Sequence, residues 1–213
     1  ASGTGLQEVT VLVSNEGAGI SQAIGTGGRD VKLEIGAITL IQGLRMLAAD
    51  RATEVIMIVS KPPHAAVLKK ILAEVKKIKK PVVAVLLGGE IKEKVREGFY
   101  PARTLEEAAY KAVCLGKGRE LAKAREMIYD TNLKLGELAK KEAARKKKSR
   151  CLRGLFSGGT FVSEAQVILP ELVGELRSNA PLDKKYKLAN SLELSGHAVI
   201  DLGEDEFTVG RPH

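Results

Sequence analysis

Two short glycine turns carry residue types suited to phosphate binding. Ser2-Gly3-Thr4 is followed, three residues on, by Glu8; Gly158-Gly159-Thr160, preceded by Ser157, is followed in the same spacing by Glu164. A helix-length stretch comes after each. A glycine turn that opens a helix presents the unbonded N–H groups of its first turn, and the helix dipole adds partial positive charge. Glycine lets the backbone approach an anion closely. The hydroxyls of Ser2, Thr4, Ser157 and Thr160 are further donors. The same residue types serve as plain turns and N-caps; the second copy is what sets the phosphate reading level with that one.

A third glycine-rich stretch, Gly25-Thr26-Gly27-Gly28-Arg29-Asp30, follows residues 20–25, which read as a strand. In a doubly wound sheet, ligands bind beyond the carboxyl ends of the strands, where Arg29 could pair with a phosphate or carboxylate. The spacing is neither the dinucleotide fingerprint nor a P-loop. Near the other end, Gly210-Arg211-Pro212-His213 follows a strand at residues 197–202, which places Arg211 and His213 at the corresponding edge. His213 is thus the catalytic candidate, whereas His64, after two prolines, reads as a surface residue and His197 as structural. No cluster of histidine, cysteine and carboxylate predicts a metal. Cys114 and Cys151 read as small apolar residues.

These residues need a scaffold, and the pattern predicts α/β modules. Apolar runs at residues 54–60 and 82–87 read as strands buried on both faces, joined by a helix whose apolar side is Val67, Leu68, Ile71, Leu72, Val75 and Ile78. Residues 34–50 read as a helix, as do residues 104–115, where Thr104 and Glu107 have capping-box spacing. A doubly wound parallel module is expected over residues 1–116 and a basic helical connector over 117–150. A second module starts at 151 and runs to 213, with a strand at 152–156, a helix broken or ended at Pro170, and a polar loop over 177–196. Residues 9–13 favour a strand by composition, but the repeat of the glycine turns puts them in a helix. The second turn has a strand before it and the first does not. Both modules are therefore expected to be truncated, with the chain an excerpt of a longer protein.

Composition narrows the function classes. The net charge is +8, but residues 117–150 hold twelve Lys/Arg against five Asp/Glu, so the basic excess belongs to the connector. Aromatics are 4% of the residues and Trp is absent, which disfavours base-stacking nucleic-acid binders. No run is long and apolar enough for a membrane span, and no secretory signal is visible, so a cytoplasmic protein is expected.

The stretches GISQAIGTGGRD, RGLFSGGTFVSEAQ and DLGEDEFTVGRPH resemble FdrA-type proteins, relatives of the NDP-forming acyl-CoA synthetases. The first stretch, with Ser2-Gly3-Thr4, also resembles the second domain of the succinyl-CoA ligase α subunit. The resemblance covers almost the whole chain and implies two flavodoxin-like modules. It implies that Ser2, Gly3, Thr4, Gly25, Gly27, Gly28, Arg29, Ser157, Gly158, Gly159, Thr160 and Arg211 bind phosphate or cofactor. It further implies either acid–CoA ligation using CoA and a nucleoside triphosphate, or carbamoyl transfer between oxalurate, phosphate and oxamate through carbamoyl phosphate. A small-molecule substrate, partner subunits and a homo-oligomer would go with either; a non-catalytic scaffold subunit is the third alternative. One departure stands out: the ligases phosphorylate a histidine after the strand matched by residues 82–87, and residues 88–100 contain none.

Overall fold

Val82–Leu86 is five apolar residues without a polar break, a strand that can lie only where both faces are covered. The computed structural model, which describes residues 3–89, 91, 95–144 and 150–210, places it at the centre of a parallel sheet. This strand, β2, lies between β1 (Ile56–Ser60) and β3 (Phe99–Ala102). The chain divides into two compact units, Ala1–Leu135 and Gly136–His213.

In the first unit the side chains of β1 alternate between two helical layers, as the strand pleat requires. Ile56 and Ile58, with Val82 and Ala84 of β2, pack on Leu40 and Leu44 of α2 (Ile38–Ala49) and on Val67, Ile71 and Val75 of α3 (Ala65–Val75). Met57 turns the other way, toward Val13 of α1 (Gly3–Asn15) and Ala109 and Val113 of α4 (Leu105–Gly116). Each fully buried aliphatic side chain stabilises this layer by about 1.5–3 kcal/mol. Residues 9–13 are helical despite their β-branched composition. Val9 and Val13 are buried one turn apart and Val11 is exposed, so tertiary packing overrides propensity. At the start of α4 the Thr104 hydroxyl accepts from Glu107 N at 3.1 Å, and the Glu107 carboxylate accepts from Arg103 N at 2.8 Å. The polar helix expected in the connector is α5 (Leu121–Ala143), whose Ala124 is buried beside Tyr110 and Cys114.

The second unit has its own parallel sheet, ordered β4 (Arg153–Phe156), β6 (His197–Asp201), β5 (Leu176–Ser178). Helix α6 (Gly159–Ile168) follows β4, and Val162 packs against Leu176 and Val199. Pro170 ends the regular helix and stands in the first turn of the short α7 (Pro170–Val173), where its missing N–H has no intrahelical partner to lose. Asp205–Thr208 forms α8. Both units are thus parallel α/β assemblies of flavodoxin-like type.

Three local expectations are corrected. Residues 20–25 are not a strand: among the described residues no strand pairs with them, so they run without a ladder. The helix expected over 34–50 begins only at Ile38, after turns that end in Gly36 and Ala37, both at positive φ. The sequence pattern also hid β3 and β5. The first contains Pro101, tolerated because the strand is an edge; the second is only three residues inside a polar segment.

Helices α2 and α3 are clamped by Glu74, whose carboxylate accepts from Arg45 Nε at 2.7 Å and Nη2 at 3.0 Å, and from Lys77 Nζ at 3.0 Å. The Arg45 hydrogen bond leads in holding the Glu74 carboxyl at about 2, below its ordinary 4.5. A carboxyl lowered on folding stabilises above its unfolded value and loses that contribution as the pH falls toward its folded one. Acid titration of unfolding should therefore show stability falling between about pH 4.5 and 2. A Glu74→Gln variant, measured alongside, should be less stable at pH 7 and show a shallower decline.

Candidate functional site

The repeated turns become helix starts at matching residues. Helix α1 begins at Gly3 and α6 at Gly159, so Gly3 and Thr4 correspond to Gly159 and Thr160. Gly3 is exposed and Thr4 half-buried. Gly158 precedes α6 in an extended conformation, φ −161° and ψ 128°, and as a glycine offers the helix no side-chain cap of its own. Thr160 is buried, whereas Ser157 is exposed on the turn.

In the second unit the structure brings two predicted features together. Phe156 is in register with Asp201, and Leu202 N donates to Phe156 O at 2.7 Å. The turn after β4 and the loop after β6 consequently share one carboxyl edge. The approach is close: a Cβ on Gly203 would lie 3.5 Å from Ser157 O and 3.1 Å from Asp201 Oδ1. The loop carries Glu204, and the α8 that follows opens with Asp205 and Glu206.

Sequence reasoning missed the polar network beneath this edge. Asn179 Oδ1 accepts from Asp201 N at 2.8 Å, and Asn179 Nδ2 donates to Asp201 O at 2.9 Å, which extends the β5–β6 pairing by a side chain. Asn179 Nδ2 and Ser191 Oγ both reach Glu206 Oε1 at 2.7 Å. The Asn179 bond, then the Ser191 bond, holds the Glu206 carboxyl below its ordinary range. An aspartate closing an apolar strand was the available signal; Asn179 follows the mixed triplet Leu176-Arg177-Ser178, which gave none.

In the first unit the glycine-rich loop has two parts with different jobs. Gly25, Gly27, Gly28 and Arg29 are exposed, and the Arg29 guanidinium makes no ion pair or side-chain hydrogen bond among the described residues. Gly27 has φ 74°, a conformation that favours glycine. Asp30 is instead buried, and its carboxylate accepts from Thr39 N at 3.0 Å and Leu40 N at 2.8 Å. It caps α2 from a distance, because the residue before that helix is Ala37, which has no polar side chain. Among the described residues no hydrogen bond joins Gly3 or Thr4 to residues 25–29.

The remaining candidates separate by burial and place. Ser2, Arg211 and His213 lie outside the described residues. His64 caps α3, its Nδ1 accepting from Ala66 N at 3.3 Å; His197 Nδ1 accepts from Leu152 N at 3.0 Å and so ties down the entry to β4. Burial pushes the Cys114 thiol up, away from the reactive thiolate. Among the described residues no group of three or more His, Cys, Asp or Glu gathers as a metal site, and no helix is long and apolar enough to cross a membrane.

Asp30→Ala should destabilise the protein by about 1–3 kcal/mol, the cost of leaving helix donors unpaired. Arg29→Ala should change stability by less than about 0.5 kcal/mol. Denaturant titrations of the two variants check this division of the loop.

No family model matches the chain. Over all 213 of its residues the chain is 36% identical to the Uncharacterized protein YahF of Escherichia coli (strain K12), and it spans 40% of that protein's length.

Proposed function

We propose that this chain is part of an FdrA-type, CoA-ligase-like enzyme that handles an acyl or carbamoyl phosphate at helix N-termini. The observation that carries the reading is the place of the α6 start: a Gly158-Gly159 turn at the carboxyl edge shared by β4 and β6. Backbone N–H groups there can hold a phosphoryl group and stabilise negative charge that develops during acyl transfer. The matching start of α1 at Gly3, with Arg29 in an exposed loop, would form the corresponding site of the first unit. CoA and a nucleoside triphosphate would be the cofactors of the ligase reaction.

A second reading, a subunit of an oxamate carbamoyltransferase, is favoured by one specific feature. Residues 88–100 contain no histidine to carry a phosphoryl group. Transfer of a carbamoyl group between oxamate and phosphate requires oxyanion stabilisation and no such carrier.

Calorimetric titration of the full-length protein with CoA, and separately with carbamoyl phosphate, distinguishes the readings. Saturable CoA binding supports ligation; carbamoyl phosphate binding without CoA binding supports carbamoyl transfer; binding of neither overturns both. Gly159→Pro removes one N–H donor at a position where proline suits a helix, and the extended Gly158 before it is compatible. That variant should weaken phosphoryl-ligand binding by about tenfold or more while leaving the unfolding transition in place.

A further inference from the structure

Among the described residues three carboxylates are buried, and two of them are fully employed. Asp30 takes one helix N–H on each oxygen, from Thr39 and from Leu40. Glu74 uses both oxygens on Arg45, with Lys77 on one of them. The third, Asp201, is 3% exposed and differs. Its Oδ1 accepts from Gly203 N at 2.9 Å; among the described residues no donor reaches Oδ2 and no cation pairs with the group. Nor is Oδ2 sealed in, since among the described residues only the Thr26 hydroxyl is both enclosed and unpartnered. A carboxylate in a protein interior is costly unless its charge is hydrogen-bonded or paired. One oxygen of Asp201 is nevertheless left open as an acceptor.

That acceptor is held firmly. Asp201 is the last residue of β6, the central strand of its sheet, and is in register with Phe156 of β4. On the other side Asn179 bonds both its N–H and its C=O, and Glu206 in turn holds Asn179. The carboxylate lies beside the turn that opens α6. A Cβ on Gly203 would stand 3.1 Å from Asp201 Oδ1 and 3.5 Å from Ser157 O, so a side chain at that position would crowd both. We propose that Asp201 is the specificity-determining acceptor of this edge: its open oxygen takes the N–H of a carbamoyl group whose phosphoryl end lies at the start of α6. The inference rests on the carbamoyl-transfer reading and goes beyond it by naming the residue that tells a carbamoyl group from an acyl group.

The chemistry of the two ligand classes makes the distinction. Carbamoyl phosphate and acetyl phosphate have nearly the same shape; one carries an amino group where the other carries a methyl group. Backbone N–H groups at a helix start favour the phosphoryl group of both alike. An amino group brings N–H donors to the open oxygen. A methyl group brings none, and would desolvate the carboxylate without a partner. A site built to hydrogen-bond a donor rejects the analogue that lacks it, because its own polar group is then left unpaired.

Calorimetric titration of the full-length protein with carbamoyl phosphate, acetyl phosphate and inorganic phosphate, each in the presence of a chelator, tests the proposal. The wild type should bind carbamoyl phosphate at least about tenfold more tightly than acetyl phosphate. Asp201→Asn can keep an acceptor for Gly203 N while turning the open oxygen into an amide donor. It should abolish the preference and leave inorganic phosphate binding in place. Should that variant fail to fold, the wild-type comparison decides: equal affinities for carbamoyl and acetyl phosphate overturn the inference while the phosphoryl site stands. A preference that survives in folded Asp201→Asn, or that appears only with added magnesium, overturns the inference and leaves the carbamoyl-transfer reading in place. Binding of none of these phosphates overturns both.

Discussion

The pairing of β1 with β2 is the constraint from which the first unit follows. Both strands are apolar on both faces, so each must be sealed above and below, and their backbone groups can be satisfied only by neighbouring strands. The two helical layers answer the first demand: α2 and α3 cover Ile56 and Ile58, while α1 and α4 cover Met57. The second demand is met on one side, where β2 is flanked by β1 and β3. On the other side of β1, residues 20–24 and Thr26 line a cavity and pair with no strand among the described residues.

The same logic explains why residues 9–13 fold against their local preference. A β-branched run has little reason to be helical in isolation. Held after a glycine turn and over the sheet, it buries Val9 and Val13 on one face and leaves Val11 outside. A strand at this position would alternate, putting Val9, Val11 and Val13 on one side together. The helix instead uses the three valines unequally, as a one-sided layer requires.

What the sequence revealed depended on how much apolar surface each element buries. The strands at 54–60, 82–87 and 197–202, the helices between them and the Thr104 cap all announce themselves through burial period or cap chemistry. Elements held mainly by backbone pairing are nearly silent: β3 and β5 are short edges, and β5 is completed by the side chain of Asn179. Residues 20–25 fail in the opposite direction. Their pattern is that of a strand, but a strand is a relation between segments, and among the described residues none pairs with them. At the candidate site, the glycine turns were legible as helix starts, whereas the role of Asp30 was not, since a cap acting from nine residues away has no local signature.

That role of Asp30 narrows where an anion can bind. The N-terminus of α2 is already neutralised by a buried carboxylate, and α3 receives the imidazole of His64. α4 is capped by Thr104. In contrast, α6 follows a glycine that offers no side-chain cap of its own, and α1 starts at the matching glycine of the repeat. Asp30 fixes the end of the glycine-rich loop to α2 while Arg29 stays in solvent.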